Sequence, residues 1–487
     1  MHAAPLASLN SSLATLLATL SSSGVDAERA LAHRGSGELL RHNLWQSCHA
    51  AVSRGQKGRL RLHVVGGSMT AGHMNCLSSQ HVMCVGRYRQ PQRAWPRVLK
   101  ETLKAALPNC SIELSLSVHP AASSATLFWE ERLARLDADL VIEDYTINDV
   151  KGKRVAGGKL IDEVLLRRTM GAHEHLALAA RGQRAALLMT ETFPNFHVPL
   201  PCQPHLEFVH AAVARAYAVP VISFMRAVCN ESAVATNSTS PARRHWRAGC
   251  GAFDLQGLGC MVHPGPYTHR LFGSLVAAYV LMQAVAAYTP HTRRAQPSEW
   301  DTPSGEGPFL LTKTDLLRMR ACTNESIFSR WDSTADGCTV HRRLLPVAVG
   351  WSCYKDQPNK PAGWILNATA GVTTSTLSMT MRVSAAGYLV LGFLKSYEHM
   401  GTISVLVNEN TSMAHDLDGR WDERTSQIDY VTIPMKALVY HSRSHPVLGS
   451  LHRPSKVTVQ LRAPTLNNNA SRSVANGKFK LMYIATC

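Results

Sequence analysis

The chain has 487 residues, 45% of them hydrophobic, so it is too long for one domain and apolar enough for more than one packed core. Lys and Arg outnumber Asp and Glu by 51 to 34, a formal charge of +17. The basic residues fall in small clusters, such as Arg243, Arg244 and Arg247 or Arg167 and Arg168. No aromatic-interleaved basic stripe is present, which argues against nucleic acid as a partner and for a generally basic surface.

Residues 1–57 read as an Ala/Leu-rich, helical N-terminal leader that carries no chemistry and ends in the basic segment 54–61. Ser and Asn interrupt its apolar patches and no basic segment precedes them. A degraded signal peptide, a truncated gene start and an amphipathic leader helix all stay open. Over residues 58–288 apolar runs alternate with helical patterns. Strands are predicted at 62–66, 111–118, 139–145, 185–190 and 219–223, and helices at about 94–107, 126–136, 159–181 and 205–217, with a closing helix after Pro266. That alternation predicts a mostly parallel sheet covered on both faces, an α/β domain. Leu271 to Tyr288 approaches membrane-spanning length, but Gly273, Ser274 and Gln283 mark it as a buried closing helix; nothing here indicates membrane association.

Residues 289–345 are rich in Pro, Arg, Ser, Thr and Gly and read as a cysteine-containing linker. Residues 346–487 change grammar again. Short alternating runs at 373–382, 388–393, 401–407, 427–433, 456–461 and 478–484, separated by Gly, Asn and Pro turns, predict an antiparallel β-sandwich. Trp351, Tyr354, Trp364, Tyr397 and Trp421 read either as core aromatics or as a sugar-stacking face of a carbohydrate-binding domain.

The twelve cysteines are even in number and lack paired CxxC metal spacing, so disulfides are the expectation, with Cys76–Cys84, Cys250–Cys260 and Cys322–Cys338 as local pairs. Asn-X-Ser/Thr acceptors occur at Asn10, Asn109, Asn230, Asn237, Asn324, Asn367, Asn410 and Asn469. Together they predict a glycoprotein of the secretory pathway, extracellular or in the Golgi lumen.

The chemistry centres on Leu62 to Gly72, where a β-branched run ends in Gly66, Gly67 and Ser68 and a helix is expected from near Met69. Such a turn either delivers a nucleophile to the top of a parallel sheet or is an ordinary strand-to-helix turn with a serine cap. Asn148 follows the strand ending at Tyr145, and His263 precedes the last helix. Alone, each has a plainer role: Asn148 with Asp149 as a turn and cap, His263 with Pro264 as a turn histidine. Three strand ends in the order Ser, Asn, His would let an alcohol, an oxyanion donor and a base meet at the sheet edge where α/β folds bind ligands. No metal or cofactor site is expected. His173 and His175 read as surface residues, and the Gly-rich segment 152–158 as a loop beside the site rather than a phosphate loop.

Gly66-Gly67-Ser68-Met69-Thr70-Ala71-Gly72 resembles the first block of the SGNH (GDSL-type) hydrolases, Ile142 to Asp149 the block with the family asparagine, and His263 to His269 the block with the catalytic histidine. The resemblance covers about residues 62–288. It implies a three-layer, flavodoxin-like domain and a serine esterase, with Ser68 as nucleophile, Asn148 as oxyanion donor and His263 as general base. Gly67 stands where the family has an aspartate. His119-Pro120-Ala121-Ala122-Ser123 stands where a glycine N–H completes the oxyanion hole, so Ala122 or Ser123 takes that part. Cys260 replaces the aspartate three residues before the histidine, which leaves a Ser-His dyad, a backbone carbonyl or Asp254 to orient His263. The resemblance, with the C-terminal sandwich, implies an algal-type secreted esterase removing O-acetyl groups from carbohydrate through an acyl-serine, without a cofactor. An O-acetyltransferase using the same site and a catalytically weakened glycan-binding protein are the alternatives.

Overall fold

The computed structural model describes residues 3–50, 54–72, 94–118, 123–129, 137–149, 172–173, 176–177, 179–180, 182–192, 213–229, 264, 266–289, 329–332, 347–356, 362–367, 375–383, 388–396, 400–420, 426–434, 455–462 and 478–486. The chain divides into two units, Met1–Thr312 and Lys313–Cys487.

The first unit is built on a six-stranded sheet of β1 (Leu31–His33), β2 (Gly58–Gly66), β3 (Cys110–Val118), β4 (Leu140–Asp144), β5 (Ala186–Glu191) and β6 (Val221–Ser223), in the order β1-β6-β5-β4-β2-β3. β2 to β6 run parallel, and among the described strands of this sheet only β1 pairs antiparallel, along β6. β4, β5 and β6 are buried along their whole length, which is why Leu140–Ile142, Ala186–Met189 and Val221–Ile222 read as continuous apolar runs rather than alternating ones, each followed by buried polar residues at the strand end. Register places Gly66 beside both Val118 and Asp144, so β2, β3 and β4 end level at one edge of the sheet.

Helices cover the sheet. They are α1 (Ala3–Ser22), α2 (Glu38–Leu44), α3 (Trp95–Ala106), the short α4 (Thr146–Asp149) and α5 (Phe224–Val228), and α6 (Pro266–Tyr288). On α3 the buried residues Trp95, Leu99, Leu103 and Ala106 recur at helical spacing and face α6. Gly273 lets the two helices approach, since a Cβ there would lie 2.6 Å from the Trp95 carbonyl oxygen. α6 is apolar and long enough to cross a membrane, yet 67% of that stretch is buried within the unit, the closing helix that the sequence predicts. α1 and α2 pack on it, and Leu9 and Leu20 of α1 belong to the same core as Phe272 and Val276.

The sequence reading of residues 1–57 as helical misses β1, a three-residue edge strand too short to carry a pattern. Of the helix predicted over 126–136, the described part is a 3-10 turn at Ser124–Trp129. A disulfide joins Cys48 to Cys110 at the start of β3. The predicted pairs Cys76–Cys84, Cys250–Cys260 and Cys322–Cys338 lie outside the described residues.

The second unit holds two antiparallel sheets. One orders β15 (Gln427–Pro434), β12 (Tyr388–Lys395), β17 (Lys478–Thr486), β10 (Gly363–Asn367) and β9 (Trp351–Tyr354), with β7 (Ser329–Asp332) also paired to β17. The other orders β14 (Asn410–Asp418), β13 (Thr402–Val407), β16 (Ser455–Arg462), β11 (Thr376–Val383) and β8 (Val347–Val349). On β11 the side chains of Leu377, Met379 and Met381 are buried and alternate with Ser378 and Thr380, the period of a half-buried strand. β7 falls in the stretch read as linker, where its polar Ser-Arg-Trp-Asp carries no strand signal. Trp351 is a core residue, packed edge-on against Phe479 at 6.3 Å, rather than part of a sugar-stacking face. Tyr397 and Trp421 lie outside the described residues.

Candidate active site

Ser68 sits on a tight turn leaving β2. Where a helix is expected from near Met69, residues 68–72 instead form hydrogen-bonded turns: Ala71 N–H donates to Gly67 O at 3.2 Å and Gly72 N–H to Met69 O at 2.9 Å. Gly72, at φ +72°, takes the left-handed conformation that closes the turn. Only glycine fits at position 66, because a Cβ there would lie 2.0 Å from Thr70 Oγ1 and 2.9 Å from Asp144 O.

That crowding reflects a buried anchor beneath the turn. Thr70 Oγ1–H donates to Asp144 Oδ2 at 2.7 Å, Trp95 Nε1–H donates to the same oxygen at 2.9 Å, and Gly67 N–H donates to the Asp144 carbonyl at 3.2 Å. Asp144 is fully buried. Burial disfavours its charged form and the neighbouring Glu143 adds to this; although Thr70 and Trp95 pull the other way, the carboxyl is pushed up from 3.8 to about 7. Trp95 N–H in turn faces His269 Nδ1 on α6 at 3.4 Å. Burial lowers His269 to about 3, so that ring is neutral at physiological pH. The turn carrying Ser68 and the first turn of α6 are therefore tied to one another through Trp95.

Asp144 gives a pH signature. Between pH 4 and 7 the unfolded chain releases a proton that the folded protein keeps at Asp144, so this residue makes stability fall as pH rises through that window. Its cost above pH 7 is at most about 4 kcal/mol, from a shift of about three units. Asp144→Asn keeps an oxygen acceptor for Thr70 and Trp95 without the charge. Thermal melts should show the variant gaining stability relative to wild type from pH 4 to 7 and a constant difference beyond. A difference independent of pH would refute the assignment.

β4 leads into α4, which carries Asn148; its side chain lies outside the described atoms. α4 is fastened by Thr146 Oγ1–H to Thr190 O at 2.8 Å, and β4 by Thr190 Oγ1–H to Glu143 O at 2.7 Å. Ser123, after β3, is buried, and its carbonyl accepts both the N–H and the hydroxyl of Thr126. The next residue, Ser124, donates its N–H to Asp149 Oδ1 at 2.7 Å. The structure thus brings Ser68, Ser123 and the helix bearing Asn148 to the ends of three neighbouring strands. His263, Asp254, Ala122, Cys260, His175 and the loop 152–158 lie outside the described residues.

His173 corrects the sequence reading. It is fully buried, not a surface residue, with Nε2 3.2 Å from Glu143 Oε1 and 3.8 Å from Asp149 Oδ2, both carboxylates being buried as well. The signal was the stripe formed with Ala172, Leu176, Ala177 and Ala180, buried positions at helical spacing that put residue 173 on the inner face. One ligand atom from each of Glu143, Asp149 and His173 lies within 4.8 Å of the others, a donor set of the type that can hold a metal ion.

No family model matches this chain, and no curated protein sequence matches it either. Among solved structures it is similar to a two-domain esterase active on acetylated mannans, at TM-score 0.52 and 16% identity, covering 95% of this chain and 98% of that one. The same esterase co-crystallized with mannopentaose aligns at TM-score 0.52 and 16% identity, covering 95% of this chain and 97% of the other. The fold is that of the SGNH hydrolases: a mostly parallel α/β domain, followed by antiparallel sheets that form a β-sandwich.

Proposed function

We propose that this protein is a secretory-pathway serine esterase that removes acetyl groups from acylated carbohydrate through an acyl-enzyme on Ser68. The observation that carries the reading is the meeting of the Ser68 turn, the Ser123 turn and α4 at the level ends of β2, β3 and β4. The similarity in fold to an esterase active on acetylated mannans supports the choice of substrate class. The Cys48–Cys110 disulfide supports an oxidising compartment.

In this mechanism His263 takes the Ser68 proton as Oγ attacks the ester carbonyl. The tetrahedral oxyanion is held by the Ser68 N–H, the Asn148 side-chain amide and the N–H of Ala122 or Ser123. Collapse expels the sugar oxygen, which leaves with the proton from His263. Water, deprotonated by His263, then attacks the acetyl-serine, releasing acetate and restoring the hydroxyl. With Cys260 in the aspartate's place, His263 is oriented by Asp254 or by a backbone carbonyl, or works in a dyad with Ser68.

The test is acetate release from an aryl acetate and from acetylated mannan by the purified chain. His263→Ala should lower kcat by ~10⁵ to ~10⁶, the scale at which loss of a catalytic base is felt in a serine hydrolase. Wild-type protein without turnover, or His263→Ala at wild-type rate, would reject the reading.

A further inference from the structure

Resting on that esterase reading, we infer that the buried trio Glu143, His173 and Asp149 is a positioning device that holds the oxyanion donors in register. Glu143 is the penultimate residue of β4, Asp149 closes α4 one residue after Asn148, and His173 comes from a third segment. All three side chains are fully buried or nearly so. His173 Nε2 lies 3.2 Å from Glu143 Oε1 and 3.8 Å from Asp149 Oδ2, so one imidazole is placed between the two carboxyl groups and fixes where each can sit.

Among the described residues, the trio meets the site at Ser124. Asp149 Oδ1 accepts the Ser124 N–H at 2.7 Å, which pins the start of the 3-10 turn directly after Ser123. One carboxylate therefore spans the two segments assigned to the oxyanion, α4 with Asn148 and the turn with Ser123. Burial raises Asp149 to about 6, while His173 and Ser124 draw it down, so both neighbours act to keep it charged. Glu143 is braced separately, since Oε1 accepts the Tyr145 N–H at 2.7 Å. Without His173 the Asp149 carboxyl loses a neighbour that fixes its orientation, leaving a weaker hold on Ser124 and a turn free to drift from the reacting carbonyl.

Three variants test this on the aryl acetate, with folding checked by circular dichroism. His173→Leu should lower kcat ~10²-fold, the scale of one lost oxyanion donor, with KM within ~2-fold of wild type. Asp149→Ala should do the same, and the double variant should be no worse than Asp149→Ala alone, because both act through one contact. Ser124→Pro removes the bonded N–H at the first position of a helical turn, where proline is tolerated, with Ser124→Ala as the control for the hydroxyl lost at the same time, and keeps the test open if His173→Leu fails to fold. It too should lose kcat and spare KM. Wild-type kcat in Ser124→Pro, a loss confined to KM, or multiplied losses in the double variant would overturn the inference. So would loss of wild-type activity on chelation with recovery on adding Zn²⁺, which would make the trio a ligand set. Wild-type protein without turnover would instead remove the esterase reading and this inference together, an outcome distinct from active protein with indifferent variants.

Discussion

Ser68→Ala is expected to abolish turnover of an aryl acetate, with kcat falling by ~10⁶, while the protein keeps its fold. The turn is shaped chiefly by its neighbours. Its geometry comes from Gly66, from the Gly67 and Ala71 N–H bonds and from Thr70 and Trp95 on Asp144. Alanine at 68 should therefore leave the melting curve close to wild type, so that lost activity reports lost chemistry. An alkylphosphonate ester should add one adduct per chain, mapped to Ser68 by mass spectrometry, and none to the variant. Turnover surviving in Ser68→Ala, or an adduct elsewhere, would remove Ser68 from the mechanism.

The second large effect is on stability. Cys48 and Cys110 are 62 residues apart, and closing a loop of that length restricts the unfolded chain by about 4 kcal/mol in the chain-entropy account. Replacing both cysteines by serine should shift the urea midpoint of the α/β unit accordingly. Activity of the folded fraction should not change. Cys110 pairs with Gly58 at the start of β2, and Ser68 follows its end at Gly66, nine residues of strand away or roughly 26 Å at ordinary strand rise. A shift below about 1 kcal/mol, or a drop in kcat of folded protein, would contradict this placement.

Much of the α/β architecture is legible in the sequence because strands buried on both faces must be apolar along their length. Leu140 to Ile142 and Ala186 to Met189 announce themselves for that reason, while the Gly-Gly-Ser turn after β2 is marked by its glycines. β1 is silent, since Leu-Ala-His is too short to show a period and its pairing with β6 depends on residues far along the chain. The carboxylates were harder still. Nothing local says that Asp144 is buried, because its partners Thr70 and Trp95 arrive from two other segments, and nothing beside Asp149 announces His173. Charged residues become interior only once distant donors surround them. For His173 the sequence did hold a clue, its place on an apolar stripe, which its polar character outweighed in a reading based on two neighbouring histidines.

The wrapping of the first unit bears on its biogenesis. Two elements of this unit made early, α1 and β1, find partners made much later: β1 joins Ile222 and Val221 of β6, and α1 lies on α6, which ends at Tyr288. During translation the apolar side chains Leu9 and Leu20 must wait unsheltered for more than 250 further residues to emerge. Closure over such sequence distances is slow, and a nascent chain paused before that point exposes sticky surface, so yield in a foreign host should depend on chaperone supply more than on final stability.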